Sequence, residues 1–211
     1  MGHPAQHFVG IDVGSERKGF HAVVLHNRRF EKLHSRNHDD VVAWCLEKEA
    51  HTIAVDAPCN WSNSGPSRQA ERELMVAGSR INCFSTPTLD RARGNSFYDW
   101  IVNGQALFKS LRTKFSLFDG TLRSGPICFE TFPHAVFCAL RKKCETAKPK
   151  GPKRRGVLKD FGYKIEPLSN IDFVDAALCA VAAKSFAQEN FVKFGNSAEG
   201  FIVVPDKNFL P

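Results

Sequence analysis

Five carboxylates stand where their types and spacing could do chemistry: Asp12, Asp56, Glu130, Asp172 and Asp175. The first three each close a short apolar run: Phe8-Val9-Gly10-Ile11-Asp12, Thr52-Ile53-Ala54-Val55-Asp56 and Ile127-Cys128-Phe129-Glu130. A carboxylate at the end of a buried strand is costly unless something pairs with it. The last two lie three residues apart, so on a helix they share a face. Taken singly, each has a structural reading. Asp172 fits an N-cap with Asp175 as the acid of a capping-box-like start, and Asp12 or Asp56 fits a strand-end acid bonded to turn amides. Taken together they read differently, because clustered carboxylates repel unless cations hold them. Hard oxygen ligands of this kind suit Mg²⁺ or Mn²⁺.

The elements that must position these acids follow from the hydrophobic pattern. His7–Val13 reads as a buried strand running into a Gly-Ser turn. Gly19–His26 and Phe30–His34 read as two further strands joined by a hairpin turn at His26-Asn27-Arg28-Arg29, giving an antiparallel meander. Asp39 is placed to cap a helix with Val41, Val42, Trp44, Cys45 and Leu46 on its apolar side. Thr52–Asp56 is the fourth strand. A strand that follows one crossover helix usually runs parallel to a strand of the same sheet. If the fourth lies beside the first, Asp12 and Asp56 project from the same end of neighbouring strands, roughly 4.8 Å apart, where open α/β sheets place their sites.

Residues 59–125 carry no clear strand and read as a helical insertion. Ser64-Gly65-Pro66 opens a helix to about Ala77, Ser85–Asn95 is loop, and Ser96 caps a helix to about Lys114. The stripe Phe97, Trp100, Ile101, Leu107, Phe108 and Leu111 either walls a pocket or completes the core. Ile127–Glu130 is a fifth strand, and Pro133–Lys143 a helix that begins beside His134. Arg155–Phe161 and Phe173–Gln188 are helical, and Glu199–Pro205 is a terminal strand.

Composition narrows the class. A chain of 211 residues with 43% hydrophobic content and eighteen Phe suits one packed α/β domain over residues 1–211. No apolar run approaches the roughly 18–20 residues of a membrane span, and Met1–Gln6 is polar, so a cytoplasmic protein with no membrane attachment is expected. Seven cysteines without a CxxC pair argue against a disulfide framework or a zinc ribbon. The whole net charge of +7 is matched by residues 141–155, where eight basic residues face Glu145 alone. Pro149, Gly151 and Pro152 mark that segment as a basic loop, either a phosphate contact or a solvated connector.

The strand order βββαβ, with Asp12, Asp56 and Asp172-Phe173-Val174-Asp175-Ala176 on a late helix, resembles the ribonuclease H-like fold, a mixed central sheet flanked by helices. The late-helix pattern is most similar to the Holliday-junction-resolvase branch. More closely, the chain resembles the family catalogued as domain of unknown function 429, described as predicted nucleases of this fold. The resemblance rests on eight pieces in order. They begin with Gly10-Ile11-Asp12-Val13-Gly14 and Lys18-Gly19-Phe20-His21, Val55-Asp56-Ala57-Pro58, and Arg68-Gln69-Ala70-Glu71-Arg72-Glu73-Leu74. They continue through Thr86-Pro87, the Trp100, Gly104 and Leu107 helix, and Glu130-Thr131-Phe132-Pro133, and end with Asp172, Asp175-Ala176-Ala177 and Glu199-Gly200. It implies Asp12, Asp56, Asp172 and Asp175 as metal ligands, Glu130 beside them as a further catalytic acid, and two-metal phosphodiester hydrolysis of DNA or RNA with Mg²⁺ or Mn²⁺. Lys18, Arg68, Arg154 and Arg155 are the candidates for substrate phosphates. Asp56 departs from the Glu that resolvase-like members carry on the fourth strand and has a shorter reach.

Two other readings stay open. The Gly10–Ser15 strand-turn also resembles the first phosphate loop of sugar-kinase and actin-like ATPases, though those need a second such unit. The chain also reads as a non-catalytic protein that binds nucleic acid through Arg141–Arg155.

Overall fold

The computed structural model describes residues 7–76 and 81–208, so Met1–Gln6 and the expected helix end at Ala77 fall outside it. Among the described residues no helix is long and apolar enough to cross a membrane.

The architecture is mixed α/β: one sheet of eight strands with helices on both faces. β1 (His7–Val13), β2 (Phe20–His26) and β3 (Arg29–Ser35) form the expected meander. Asn27 and Arg28 turn the hairpin with positive φ of 46° and 63°, the backbone that matches the twist of paired strands. α1 (His38–Glu47) crosses to β4 (Ala50–Asp56). Asn37 caps α1, not Asp39. The Asn37 backbone is extended and its side chain accepts from the Asp39 amide, which leaves Asp39 in the first turn.

The connection that follows holds α2 (Gln69–Val76), α3 (Leu89–Ala92), a 3₁₀ turn over Ser96–Tyr98 and α4 (Asp99–Leu111). α2 starts later than Ser64-Gly65-Pro66, because the chain turns through those residues and Glu71 accepts the Arg68 amide only at the helix start. Asn95, not Ser96, caps the 3₁₀ turn. The connection also contains a strand that composition hides, the two-residue β5 (Ser116–Leu117).

β6 (Ile127–Glu130) leads to α5 (Pro133–Leu140), which stops before Lys142, a residue with φ of 57°. The basic segment is loop only to Pro149. From Lys150 it is α6 (Lys150–Asp160), so the expected loop over 141–155 is half helix. Pro152 is compatible with this because the first turn of a helix needs no amide donors. α7 (Ile171–Ala187) is followed by a hairpin of β7 (Phe191–Asn196) and β8 (Gly200–Pro205).

The strand order is β3-β2-β1-β4-β6-β8-β7, with β5 beside the start of β6. β1, β4, β6 and β8 run parallel, and β2 and β7 run antiparallel to their neighbours. The faces divide by period two. Val9, Ile11, Ile53 and Val55 pack toward α1 and α4, whereas Phe8 and Ala54 pack toward α5, α6 and α7. α7 is apolar nearly all round and crosses β1, β2 and β4, as a helix buried on all sides must be. Gly10 makes that crossing possible. A Cβ there would stand 2.0 Å from the Ala176 carbonyl oxygen and 2.2 Å from the Ala180 amide. The small residues of α7 and the bare backbone of β1 thus let the helix lie on the strand that carries Asp12.

Candidate active site

Parallel pairing sets β1 and β4 so that Asp12 is the register partner of Asp56. Both occupy the same parity as Gly10 and Ala54, so both face α7. The first turns of α7 bring Asp172 and Asp175 to the same end of the sheet, and all four aspartates line one cavity of about 480 Å³. Neither acid on α7 is a cap. Asn170 does that work, accepting the Phe173 amide on its side-chain oxygen. Asp172 and Asp175 are thereby left available to other partners.

Those partners are cations. Lys18 Nζ donates to Asp172 Oδ1 at 2.7 Å, and Arg154 donates to Asp175 in a buried pair. Asp12 and Asp56 have no such partner, since neither carboxylate accepts a hydrogen bond from a described residue. Burial, together with repulsion from Asp175 and Asp172, pushes the Asp12 carboxyl up to about 7, against the weaker pull of Lys18 and Lys150. Asp56 is lifted well above the ordinary carboxylate range by burial and by the charges of Asp12 and Asp175. Burial raises Asp175 too, although Arg154 draws it down. For Lys18 burial works against the charge, but the bond to Asp172 and the nearby Asp12 outweigh it and its pKa rises.

The profile of a family described as protein of unknown function (DUF429) matches residues 10–199, from Gly10 in β1 to Glu199 before β8. The chain belongs to the DUF429 family. No curated protein matches it.

In this DUF429 chain Glu130 lines the same cavity as the aspartates, near them as expected, but its carboxylate is engaged elsewhere. Its register partner on β4 is Val55, not Asp56, so it sits one residue short and takes the opposite parity. It holds Arg68 instead, accepting from Nη2 at 2.5 Å and from Nη1 at 2.7 Å. Arg68 Nε donates to Glu71 Oε1 at 3.0 Å, and Glu71 also accepts the Thr86 amide. Arg68 is 1% exposed. A guanidinium so buried and so completely engaged is a clasp that ties the start of α2 to β6. It is not free for the substrate phosphate expected of it. Arg155 is also elsewhere: it reaches the Asn170 carbonyl and does not line the cavity.

Two site residues went unassigned in the sequence. Lys150 lines the cavity with Arg154. The signal was their spacing of four, which puts them on one helical face once residues 150–155 are read as helix. His21 is the register partner of Asp12 on β2, and its Nε2 lies 3.9 Å from Asp172 Oδ2. One ligand atom each from Asp12, His21 and Asp172 falls within 4.8 Å of the others. Burial lowers the His21 pKa despite Asp172, which favours the neutral imidazole a metal requires. His134 lies away from the cavity, against Cys138. All seven cysteines are free thiols.

The residues present fit a divalent cation. The donors are carboxylate oxygens converging from three elements, and the two most central acids accept no hydrogen bond from a described residue. The His21 imidazole would favour Mn²⁺ over Mg²⁺ within that class.

Proposed function

We propose that this protein is a metal-dependent nuclease with a ribonuclease H-like core, hydrolysing phosphodiester bonds of nucleic acid. The sheet order β3-β2-β1-β4 with a further parallel strand beyond it supports the fold reading. The observation that carries the activity is the pair Asp12 and Asp56, in register on adjacent parallel strands and unpartnered at a cavity floor. Buried acids with raised pKa in a cleft mark functional sites more often than structural ones.

Asp12, Asp56, Asp172 and Asp175 would hold Mg²⁺ or Mn²⁺, with His21 at the edge of the set. The ions would supply an activated water and charge stabilisation at the leaving oxygen. Lys18 and Arg154 neutralise Asp172 and Asp175 in the metal-free protein. With these acids on a cation, Lys18 and Arg154 would be free to meet a phosphate, and Lys150 stands beside them. Phosphate contacts of this kind give affinity without sequence preference. Glu130 and Arg68 act one step back, by fixing α2 as a wall of the cavity.

The test is cleavage of single-stranded DNA, duplex DNA and RNA with Mn²⁺, Mg²⁺ or neither. Metal-dependent cleavage that Asp12→Asn abolishes is expected. No cleavage of any of the three by folded protein, or cleavage that survives Asp12→Asn, overturns the reading.

A further inference from the structure

The same cavity has a second wall of different character. Phe84 is 59% exposed and Phe97 is 55% exposed, and both line the cavity whose floor is Asp12 and Asp175. Trp100, half-buried at the start of α4, lines it beside them. The Phe84 ring centroid is 5.8 Å from that of Phe97 and 5.9 Å from that of Trp100, with interplanar angles of 60° and 58°. Neither pair is stacked face to face, so the flat faces of the rings are not covered by one another. Of the eighteen Phe, eleven are buried in the core, whereas these two stand in water at the mouth of a charged site.

Exposed apolar surface joined to a polar cleft marks a binding surface. The ligand that suits this one carries a flat π-face at one end and an anion at the other. Aromatic side chains stack nucleobases of any sequence, and the cations beside the acid floor suit the phosphate that joins one nucleotide to the next. A base reaches side-chain faces only when it has left a duplex stack. We propose that the substrate is nucleic acid with an unpaired base next to the scissile phosphate, and that Phe84 and Phe97, backed by Trp100, stack that base. The scissile phosphate in this proposal rests on the nuclease reading; the stacking does not.

The test measures binding of the full-length chain to three fluorescein-labelled probes with Ca²⁺ in place of Mn²⁺. The probes are an oligothymidylate, the same strand annealed to oligoadenylate, and an abasic strand of equal length that keeps the phosphates. The oligothymidylate is expected to bind about 10-fold or more tighter than either of the others. The Phe84→Ala/Phe97→Ala variant, which alters exposed side chains and should keep its circular dichroism spectrum, is expected to lose that preference. Equal affinity for the abasic strand or the duplex, or a preference that persists in the variant, overturns the proposal. The two readings fail separately. Base preference without Mn²⁺-dependent cleavage removes the nuclease and leaves the stacking wall. Cleavage without base preference removes the wall and leaves the nuclease.

Discussion

Two buried charge clusters line one cavity and are built in opposite ways. Around Arg68, every charge has an answer: Glu130 grips the guanidinium with both oxygens, Glu71 takes Nε, and Glu199 offers its carbonyl. Around Asp12, four carboxylates meet two paired cations, and the acids at the ends of β1 and β4 are left against each other. The first cluster is complete as folded. In the second, the charges of Asp12 and Asp56 meet no hydrogen-bond donor among the described residues. Glu130 ends an apolar run just as Asp12 and Asp56 do, so residue type does not separate the clusters. What separates them is whether the folded chain supplies the counter-charge.

The contrast predicts opposite responses to neutralisation. The largest effect is expected at the clasp. Arg68→Met leaves Glu130 and Glu71 buried without their counter-charge and should cost about 3–5 kcal/mol in urea unfolding. Glu130→Gln should cost less, and the double variant less than the sum of the two. A loss within ±0.5 kcal/mol for Arg68→Met would show that the clasp is not structural.

At the acid end the sign reverses. Asp12→Asn and Asp56→Asn each relieve a buried like-charge contact, so the metal-free protein should gain on the order of 1–3 kcal/mol near pH 8. Destabilisation by both variants would mean that the acids are held by partners after all.

The same charges set a pH dependence. Asp12 titrates at about 7 when folded, against an ordinary value of 3.8. Between those values the folded state keeps a proton that the unfolded chain has lost. Stability of the metal-free protein should therefore fall as pH rises from about 4 to about 7, and the raised Asp56 and Asp175 add to the fall. Saturating Mn²⁺ should remove the decline, because the cation takes the place of the proton. Thermal melts across that range, with and without Mn²⁺, measure it. A metal-free stability that climbs over the same interval contradicts the assignment.

The smallest effect distinguishes cations on one helix. Lys150→Ala should weaken nucleic-acid binding by a few-fold and reduce its salt dependence by about one ion. Arg155→Ala should change both less, since Arg155 points to the start of α7 rather than into the cavity.

Much of this arrangement is legible in the sequence, for reasons that can be named. β1 and β4 are short apolar runs that stop at an acid, and one crossover helix between them implies parallel neighbours. Those facts put Asp12 beside Asp56 without coordinates. The acids of α7 share a face by spacing alone, but whether they cap depends on Asn170, which competes for the same role and wins. Glu130 reaches the same cavity from a register one residue short of Asp56, and the sequence does not show that Arg68 occupies it there. Arg68 reads as a free cation because nothing local reveals that its partner lies on β6. α6 is hidden by Gly151 and Pro152, which read as loop although they sit in the tolerant first turn of a helix. β7 is an edge strand with no fully buried side chain, and β5 has two residues, so neither carries the signature of a buried strand.

The most direct test of the central claim is calorimetric Mn²⁺ binding by the wild type and by the Asp12→Asn/Asp175→Asn variant. The account predicts binding in the micromolar range that the variant loses while remaining folded. Equal binding by the two proteins, or none by the wild type up to millimolar Mn²⁺, would contradict it.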